Sequence, residues 1–210
     1  MLFLDELAEF PRAACEALRQ PLEDGEVTIV RAGASVRFPA RFALVAAANP
    51  CPCGHLGDAA LACRCGPEDL RRYDRRLSGP LLDRVDLYVQ VDRVGAEELE
   101  AAGAGEASGP VRARVCAARA VQQARSGVEN ARLPVAGLTL ACRPTAAARR
   151  TLAAAVDRLG LTARGFHRAL RVSRTIADLR GDERVDDDHV REALALRRAA
   201  VAGDPEGAGS

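Results

Sequence analysis

A short apolar run at residues 1–4 ends abruptly in two carboxylates, Asp5 and Glu6. A second apolar run, at residues 42–48, ends in Asn49. Such runs are typical of buried parallel strands, and open α/β sheets bind their ligands at the carboxyl ends of these strands. We therefore predict an α/β fold with polar groups at its strand ends. Taken alone, the acid pair also fits an ordinary strand followed by a solvated turn.

Three further motifs follow the acid pair in a fixed order. They read LRQPLEDG at residues 18–25, ANPCPCG at 48–54 and LSGPLLDR at 77–84. Together with the acid pair they resemble the core of AAA+ ATPases, more narrowly the magnesium-chelatase-like branch and its ComM/YifB family. The resemblance runs from residue 1 to about 202. It implies an α/β fold: a partial AAA+ P-loop core, made of a parallel sheet with a hairpin insert, followed by an all-α helical lid.

The chain departs from that family in one respect. The family carries a Gly-rich phosphate loop with a lysine upstream of the acid pair, whereas here the acid pair opens the sequence and all 30 basic residues are arginine. We therefore expect this chain to be the C-terminal portion of a larger ATPase, or a truncated reading frame begun at an internal start. We also expect ATP hydrolysis by the isolated chain at or near background, because the Walker A lysine is missing.

The composition fits one or two domains, since the chain has 210 residues. A net charge of +1 predicts no partner, although arginine clusters can still contact DNA. The sequence shows no secretory pattern and no apolar run of membrane-span length, which indicates a cytoplasmic protein with no membrane partner.

An Ala/Gly-rich stretch near residue 100 marks the predicted domain boundary. The predicted organisation is an ATPase core over 1–95, a linker over 96–110, a helical lid over 111–203 and a disordered tail over 204–210.

Patterning predicts the individual elements as follows. Strands are predicted over 1–5, 42–48 and 85–91, a hairpin over 26–31 and 35–38, and helices over 11–24, 67–76, 110–126, 144–159, 163–180 and 186–201. In the lid, Val111, Val115 and Ala118 are expected to share one helix face, and Leu170, Ile176 and Leu179 are expected to point inward.

The resemblance implies ATP and Mg²⁺ as cofactors and gives the acid pair its roles. Asp5 would help to hold Mg²⁺ through water, and Glu6 would polarise the attacking water. Asn49 matches the family's sensor, whose amide can hydrogen-bond a γ-phosphate oxygen and the attacking water.

Arg84 matches the family's arginine finger, which acts on a neighbouring subunit's nucleotide. A permanently charged, planar guanidinium suits the charge of a transferring phosphoryl group. This role implies a ring of identical subunits, a hexamer by resemblance. The alternative is a surface ion pair with Asp83 or Asp86.

Arg164 matches the second sensor, at the start of a lid helix, where it would reach the nucleotide of its own subunit. The lid holds other arginines that could take this role, in particular Arg171 and Arg174.

Four cysteines fall within 15 residues and read Cys-x-Cys-x₉-Cys-x-Cys: Cys51, Cys53, Cys63 and Cys65. Four thiolates suit a closed structural Zn²⁺ site, although paired cysteines usually have more than one residue between them. Reduced loop thiols and an iron–sulfur cluster are the alternatives. His55 is either a substitute ligand or a solvated loop residue. The other three cysteines are predicted to be small buried hydrophobic residues: Cys15, Cys116 and Cys142.

Two arginine-bearing segments are candidates for DNA contact. The hairpin, which carries Arg31 and Arg37, matches an insert that faces the ring's pore in this branch, or it is simply structural. The second segment is more typical of a solvated helix face and holds Arg71, Arg72, Arg75 and Arg76.

Three functions are therefore considered. The first is an AAA+ motor, or part of one, that resembles ATP-driven DNA branch-migration enzymes. The second is a non-catalytic, zinc-stapled DNA- or protein-binding module. The third is a non-functional truncation product.

Overall fold

The computed structural model describes residues 1–31, 33–77, 79–95 and 105–198. The chain divides into two compact units, Met1–Val85 and Asp86–Ser210. The first unit combines short strands with helices, and the described part of the second contains only helices and connecting segments. The predicted fold class, a partial α/β core followed by a helical lid, is confirmed.

Two short parallel strands form one of the two-stranded sheets of the first unit. Strand β1 (Leu2–Leu4) pairs along its whole length with a strand from the second apolar run, Leu44–Ala46. The pairing continues beyond the strands, because the Ala47 N–H donates to the Leu4 carbonyl at 2.8 Å and the Leu7 N–H donates to the Ala47 carbonyl at 2.8 Å. Both strands therefore leave the sheet at the same edge.

The segment expected to be one helix over 11–24 forms two, α1 (Arg12–Ala17) and α2 (Arg19–Asp24). Pro21 explains the break. It has no N–H to donate to the carbonyl of Ala17 four residues earlier, so α1 ends there. Gly25 ends α2 in the left-handed conformation, with φ of 69°, as the sequence predicts.

The predicted hairpin is confirmed. Strands β2 (Glu26–Arg31) and β3 (Ala34–Pro39) pair antiparallel. All residues of β3 are exposed, so the hairpin buries little surface within its own chain. The strand Leu44–Ala46 follows as β4.

Two helices complete the first unit, α3 (Pro67–Arg76) and α4 (Gly79–Leu82). The start of α3 agrees with the prediction, since Pro67 occupies the first helical position. A small core lies beneath the sheet and consists of Leu4, Leu7, Cys15 and Leu81 with partly buried leucines around them.

The described part of the second unit contains five α-helices and a short 3-10 helix, Asn130–Arg132. The α-helices are α5 (Ser108–Ser126), α6 (Val135–Cys142), α7 (Ala146–Leu159), α8 (Ala163–Arg180) and α9 (Asp187–Arg198). Their shared core includes Leu138, Leu152, Leu170 and Val190, one from each of α6 to α9. The sequence patterning missed α6.

Helix ends in this unit follow the predicted signals. Gly160 and Gly181 end α7 and α8 in the left-handed conformation, and the Thr162 hydroxyl accepts a hydrogen bond from the Gly165 N–H at 3.1 Å. Asp186 precedes α9, and its carboxylate accepts the Asp187 N–H at 2.8 Å. Short side-chain acceptors of this kind satisfy the open N–H groups of a helix's first turn.

Some predictions for this unit are wrong. Residues 85–91 form no strand; the Tyr88 N–H instead donates to the carbonyl of Leu196, in the last turn of α9, at 2.7 Å. Carbonyls at a helix C-terminus have no partner within the helix and readily accept such a bond. Leu179 is 46% exposed, because it lies on the solvent-facing side of α8. Of the three residues predicted to form the apolar face of α5, only Ala118 is buried.

The predicted linker and tail fall largely outside the described residues. Residues 96–104 and 204–210 lie outside the described residues, whereas residues 108–110 belong to α5. Within the described ranges, no helix combines the length and apolar character needed to cross a membrane.

Candidate functional site

Asp5 and Glu6 follow β1 directly, and Asn49 lies three residues beyond the end of β4. Because the two strands are parallel neighbours, these three side chains belong to the same edge of the sheet. We call this the acid edge. All three residues are exposed. Their exposure leaves the carboxylates and the amide accessible to a ligand from solvent.

The backbone turns sharply at the acid pair. Glu6 has a φ of 51°, which is uncommon for a residue other than glycine. The Asp5 carboxylate accepts the Glu6 N–H at 3.0 Å, which helps to fix this turn. Asp5 and Glu6 are thereby displayed on a short, locally braced bend rather than on an extended tail.

A cleft of about 400 Å³ opens beside the acid edge. Its lining includes Glu6, Asn49, Cys51, Tyr73 and Arg76. The Tyr73 hydroxyl donates to the Asn49 carbonyl at 2.8 Å. Burial, followed by the charge of Glu9, raises the pKa of Tyr73, so this hydroxyl remains a donor at neutral pH. Helix α3, which carries Tyr73 and Arg76, therefore forms one wall of the cleft.

The loop between β4 and α3 gathers the predicted metal ligands into one cluster. One Sγ each from Cys51, Cys53, Cys63 and Cys65 lies within 4.8 Å of the others. The Sγ of Cys51 is 3.4 Å from that of Cys53 and 3.7 Å from that of Cys63, and the Cys53 and Cys63 sulfurs are 3.6 Å apart. All four are free cysteines, and Cys51 is fully buried. We call this the tetracysteine cluster.

The thiols of the cluster differ in acidity. The backbone N–H of Arg64, followed by that of His55, lowers the pKa of Cys53 to about 6. Burial, reinforced by the neighbouring sulfurs, raises the pKa of Cys65 to about 12. Of the two possibilities for His55, the structure favours a loop residue over a substitute ligand, because His55 lies outside the cluster, with Nδ1 3.8 Å from the Asp58 carboxylate.

The three remaining cysteines are not all buried. Cys15 and Cys142 are buried, as predicted, and burial raises the pKa of each thiol. Cys116 is exposed on α5, so its predicted burial is wrong.

Arg84 pairs with a residue that its local sequence did not suggest. Its guanidinium lies 2.8 Å from the carboxylate of Glu23 in α2, and its side chain is only 6% exposed. Asp86, one of the expected partners, lies 3.5 Å from Arg168. Within one chain, Arg84 is therefore held inward by α2.

The lid arginines fall into two groups. Arg164 is exposed in the first turn of α8. Arg171 is partly buried and donates to the Leu133 carbonyl at 2.7 Å, while Arg174 is 1% exposed. The lid's own structure thus engages Arg171 and Arg174, the two alternatives considered for the second sensor.

A buried ion-pair network inside the lid was missed from the sequence. The Asp178 carboxylate accepts hydrogen bonds from Arg125, Asn130 and Arg174 at 2.7 to 3.0 Å. Burial acts to raise the pKa of Asp178, but hydrogen bonds from Arg125 and Asn130 with the charge of Arg174 outweigh it, and the pKa is lowered. We call this the Asp178 network. The i, i+4 spacing of Arg174 and Asp178 was the only local signal.

The candidate DNA-contacting arginines lie on exposed surfaces. Arg31 is exposed, and Arg37 is also exposed, 3.9 Å from Glu26 across the hairpin. On α3, Arg76 pairs with Glu9 at 3.1 Å. The remaining α3 arginines line a shallow depression together with Glu68: Arg71, Arg72 and Arg75.

Comparison with known proteins gives the family. Residues 1–99 match the family described as magnesium chelatase, subunit ChlI, and residues 105–197 match its C-terminal companion. The chain is 46% identical over 198 residues to competence protein ComM of Haemophilus influenzae, an alignment that covers 94% of this chain. The chain belongs to the magnesium-chelatase-like ComM/YifB family. This membership makes it a relative of AAA+ proteins.

Other relatives agree. An uncharacterized protein of Mycobacterium tuberculosis is 46% identical over 205 residues and covers 96% of this chain. Escherichia coli YifB, also uncharacterized, is 40% identical over 198 residues and covers 94%. The chain spans 38% of the length of ComM, 40% of the mycobacterial protein and 39% of YifB.

Proposed function

We propose that this chain contributes the acid edge and the helical lid of an ATP-hydrolysing AAA+ motor. The parallel pairing of β1 with β4 carries the proposal, because it brings Asp5, Glu6 and Asn49 to one edge beside an open cleft. Ligands of α/β sheets bind at this position.

Each residue of the acid edge has a role in this proposal. Asp5 holds the water shell of a bound Mg²⁺, since hard cations prefer carboxylate and water oxygens. Glu6 orients the water that attacks the γ-phosphate, and Asn49 hydrogen-bonds that phosphate through its amide. The Mg²⁺ of the nucleotide, when bound, neutralises charge that develops on the phosphates.

The phosphates need a further partner that these 210 residues do not contain. All 30 basic residues are arginine, so a P-loop lysine has to come from protein outside this sequence. The length of the relatives leaves ample room for it, because the chain matches only 38% of ComM.

Arg84 and Arg164 complete the proposed site. Arg84 acts in trans on the nucleotide of the next subunit in a ring, proposed as a hexamer by resemblance. In this role Arg84 breaks its ion pair with Glu23 and binds a phosphate of the neighbouring subunit's nucleotide instead. The exposed position of Arg164 supports its role as second sensor, while Arg171 and Arg174 serve the lid.

DNA is the proposed substrate of the motor, with branch migration as its activity. The exposed hairpin supports this role, since Arg31 and Arg37 are available for phosphate contacts. The name of the Haemophilus relative, competence protein ComM, is compatible with a DNA-handling role. Because cysteines in the cytoplasm stay as thiols or metal ligands, the tetracysteine cluster supports a cytoplasmic location.

The test uses this chain alone and in a chimera. Purified 1–210 is expected to hydrolyse ATP at background. A chimera in which the chain replaces the matching region of ComM is expected to turn over ATP, and Glu6→Gln should abolish that turnover. Asp157→Asn, at an exposed position on α7, is the matched control and should leave it unchanged. Robust turnover by 1–210 alone, lost in Glu6→Gln, would contradict the need for an outside phosphate loop.

The tetracysteine geometry favours a second candidate function, a zinc-stapled DNA- or protein-binding module without catalysis. Fluorescent ATP and DNA probes separate the two. Binding of ATP by the chimera supports the motor. DNA binding by 1–210 combined with no nucleotide binding by the chimera supports the module.

A further inference from the structure

Most of the loop between β4 and α3 lies between the first and the last cysteine of the tetracysteine cluster. Cys51 lies two residues after Asn49, and Cys65 immediately precedes Gly66, the N-cap of α3. The 15 residues from Cys51 to Cys65 therefore leave the acid edge and return to the helix beside it. Whatever holds the four sulfurs together also fixes both ends of this loop.

The spacing of the sulfurs matches a single tetrahedral metal ion. A zinc–sulfur bond of about 2.3 Å places the corners of a tetrahedron about 3.8 Å apart. The separations among the sulfurs of Cys51, Cys53 and Cys63, at 3.4, 3.7 and 3.6 Å, lie close to this value. A disulfide would need about 2.05 Å.

The surroundings of the sulfurs also suit a closed structural site. Cys51 is fully buried, and the other three are partly buried. Four soft thiolates without a carboxylate or water position select Zn²⁺ over Mg²⁺ or Ca²⁺. A four-iron cluster would hold its cysteine sulfurs farther apart, because the irons and bridging sulfides lie between them.

Two connections link the cluster to Asn49. One is the chain itself, through Pro50 to Cys51. The other runs through α3, which begins after Cys65 and returns Tyr73 to donate to the Asn49 carbonyl at 2.8 Å. Both paths to Asn49 therefore start from metal-ligating positions.

We infer that the tetracysteine cluster binds one Zn²⁺ and that this ion, acting through Cys51 and Tyr73, positions Asn49 at the acid edge. The role of the ion is structural. The inference is independent of ATP hydrolysis, because metal content and backbone protection can be measured without nucleotide.

The first experiment measures the metal content of the 210-residue chain by elemental mass spectrometry. The chain is purified without a histidine tag. One zinc per chain is expected. Cys51→Ser combined with Cys53→Ser should lose it, and Cys116→Ser, an exposed thiol on α5, should keep it. Replacing zinc by Co²⁺ should give the intense absorption of a tetrahedral tetrathiolate site.

Misfolding of the double variant would not obscure the result, because the wild-type chain can be stripped with a chelator and titrated with Zn²⁺. Stoichiometric rebinding supports the site. A folded, reduced wild-type chain that binds no zinc overturns it, and stoichiometric iron in place of zinc overturns the choice of metal.

The second experiment measures hydrogen exchange at two amides near the acid edge. The Ala47 N–H donates to Leu4, and the Leu7 N–H donates to Ala47. Removing zinc should speed their exchange by at least about tenfold. Tyr73→Phe should keep one zinc per chain and give a smaller increase, while Tyr88→Phe in the second unit should give none.

Unchanged exchange at Ala47 and Leu7 after zinc removal would overturn the positioning role. Loss of zinc in Tyr73→Phe would also overturn the positioning role. In that case Tyr73 would be needed to hold the metal rather than to link the metal site to Asn49. Neither result depends on whether the chain takes part in ATP hydrolysis.

Discussion

The tetracysteine cluster and the Asp178 network are both polar clusters within folded units, and they differ in charge balance. The network contains its own counter-charges, since Asp178 accepts from Arg125 and Arg174 and from the neutral amide of Asn130. The tetracysteine cluster contains only groups that become anionic, at separations of 3.4 to 3.7 Å for three of them. A cluster that holds charges of both signs can form part of a core, whereas a cluster of one sign indicates a place for an external ion.

The largest expected effect is loss of the external ion. A structural zinc contributes about 10–16 kcal/mol of apparent binding energy in small zinc-finger peptides. We expect a chelator to speed tryptic cleavage after Arg64 and Arg71 by orders of magnitude, with no change after Arg125 or Arg174. Peptide mass mapping measures both regions in one digest. Equal acceleration in both units would break the comparison.

Removing the single acid of the network should have the next largest effect. Asp178→Asn leaves Arg125 and Arg174 without a carboxylate, and breaking a buried pair costs about 3–5 kcal/mol. Urea unfolding measures the loss. Asp157→Asn, at an exposed position on α7, is the matched control and should change stability by less than about 0.5 kcal/mol. Similar values for both variants would show that the network does not stabilise the lid.

The same acid gives the lid a predicted pH dependence. The pKa of Asp178 is lowered in the folded state, so its contribution is complete above its unfolded pKa and is lost as pH falls through the folded pKa. Lid stability, followed by urea unfolding, should be flat near neutrality and fall below about pH 4. The slope should be smaller in Asp178→Asn. An unchanged slope in that variant would assign the acid sensitivity to other carboxylates.

The smallest expected effect concerns Arg84. Glu23→Gln leaves a 6% exposed guanidinium with a weaker partner and should destabilise the first unit by about 1–3 kcal/mol. Glu26→Gln removes the exposed contact with Arg37 at 3.9 Å and should cost less than about 0.5 kcal/mol. Urea unfolding compares the two variants. Equal costs would show that the inward pairing of Arg84 contributes no more than a surface contact.

Features that depend on the local sequence were predictable. The parallel strands, the hairpin and the glycine helix ends depend on residues within a few positions, and the four cysteines fall within 15 residues. The break before α2 also follows from the local sequence, through Pro21. The family resemblance supplied the roles of the acid edge, which patterning alone leaves as a solvated turn.

Features that depend on distant partners were not predictable. Residues 85–91 alternate like a strand, but their actual partner is Leu196 in the last turn of α9. Asp178 lies 53 residues from Arg125, and an arginine-rich lid gives no pattern that singles out one pair. Likewise, Glu23 is distant in sequence from Arg84, so only the folded chain shows that the two meet.

The different surroundings of the seven cysteines make thiol chemistry a direct readout of metal occupancy. Cys15 and Cys142 are buried and Cys116 is exposed. With zinc bound, a thiol-reactive dye should label Cys116 alone; after chelation, the four thiols of the tetracysteine cluster should join it. The wild-type chain, kept loaded with zinc, can therefore be labelled with a fluorescent dye at one position on α5 without any substitution. A preparation that takes up more dye than this has lost zinc from the tetracysteine cluster.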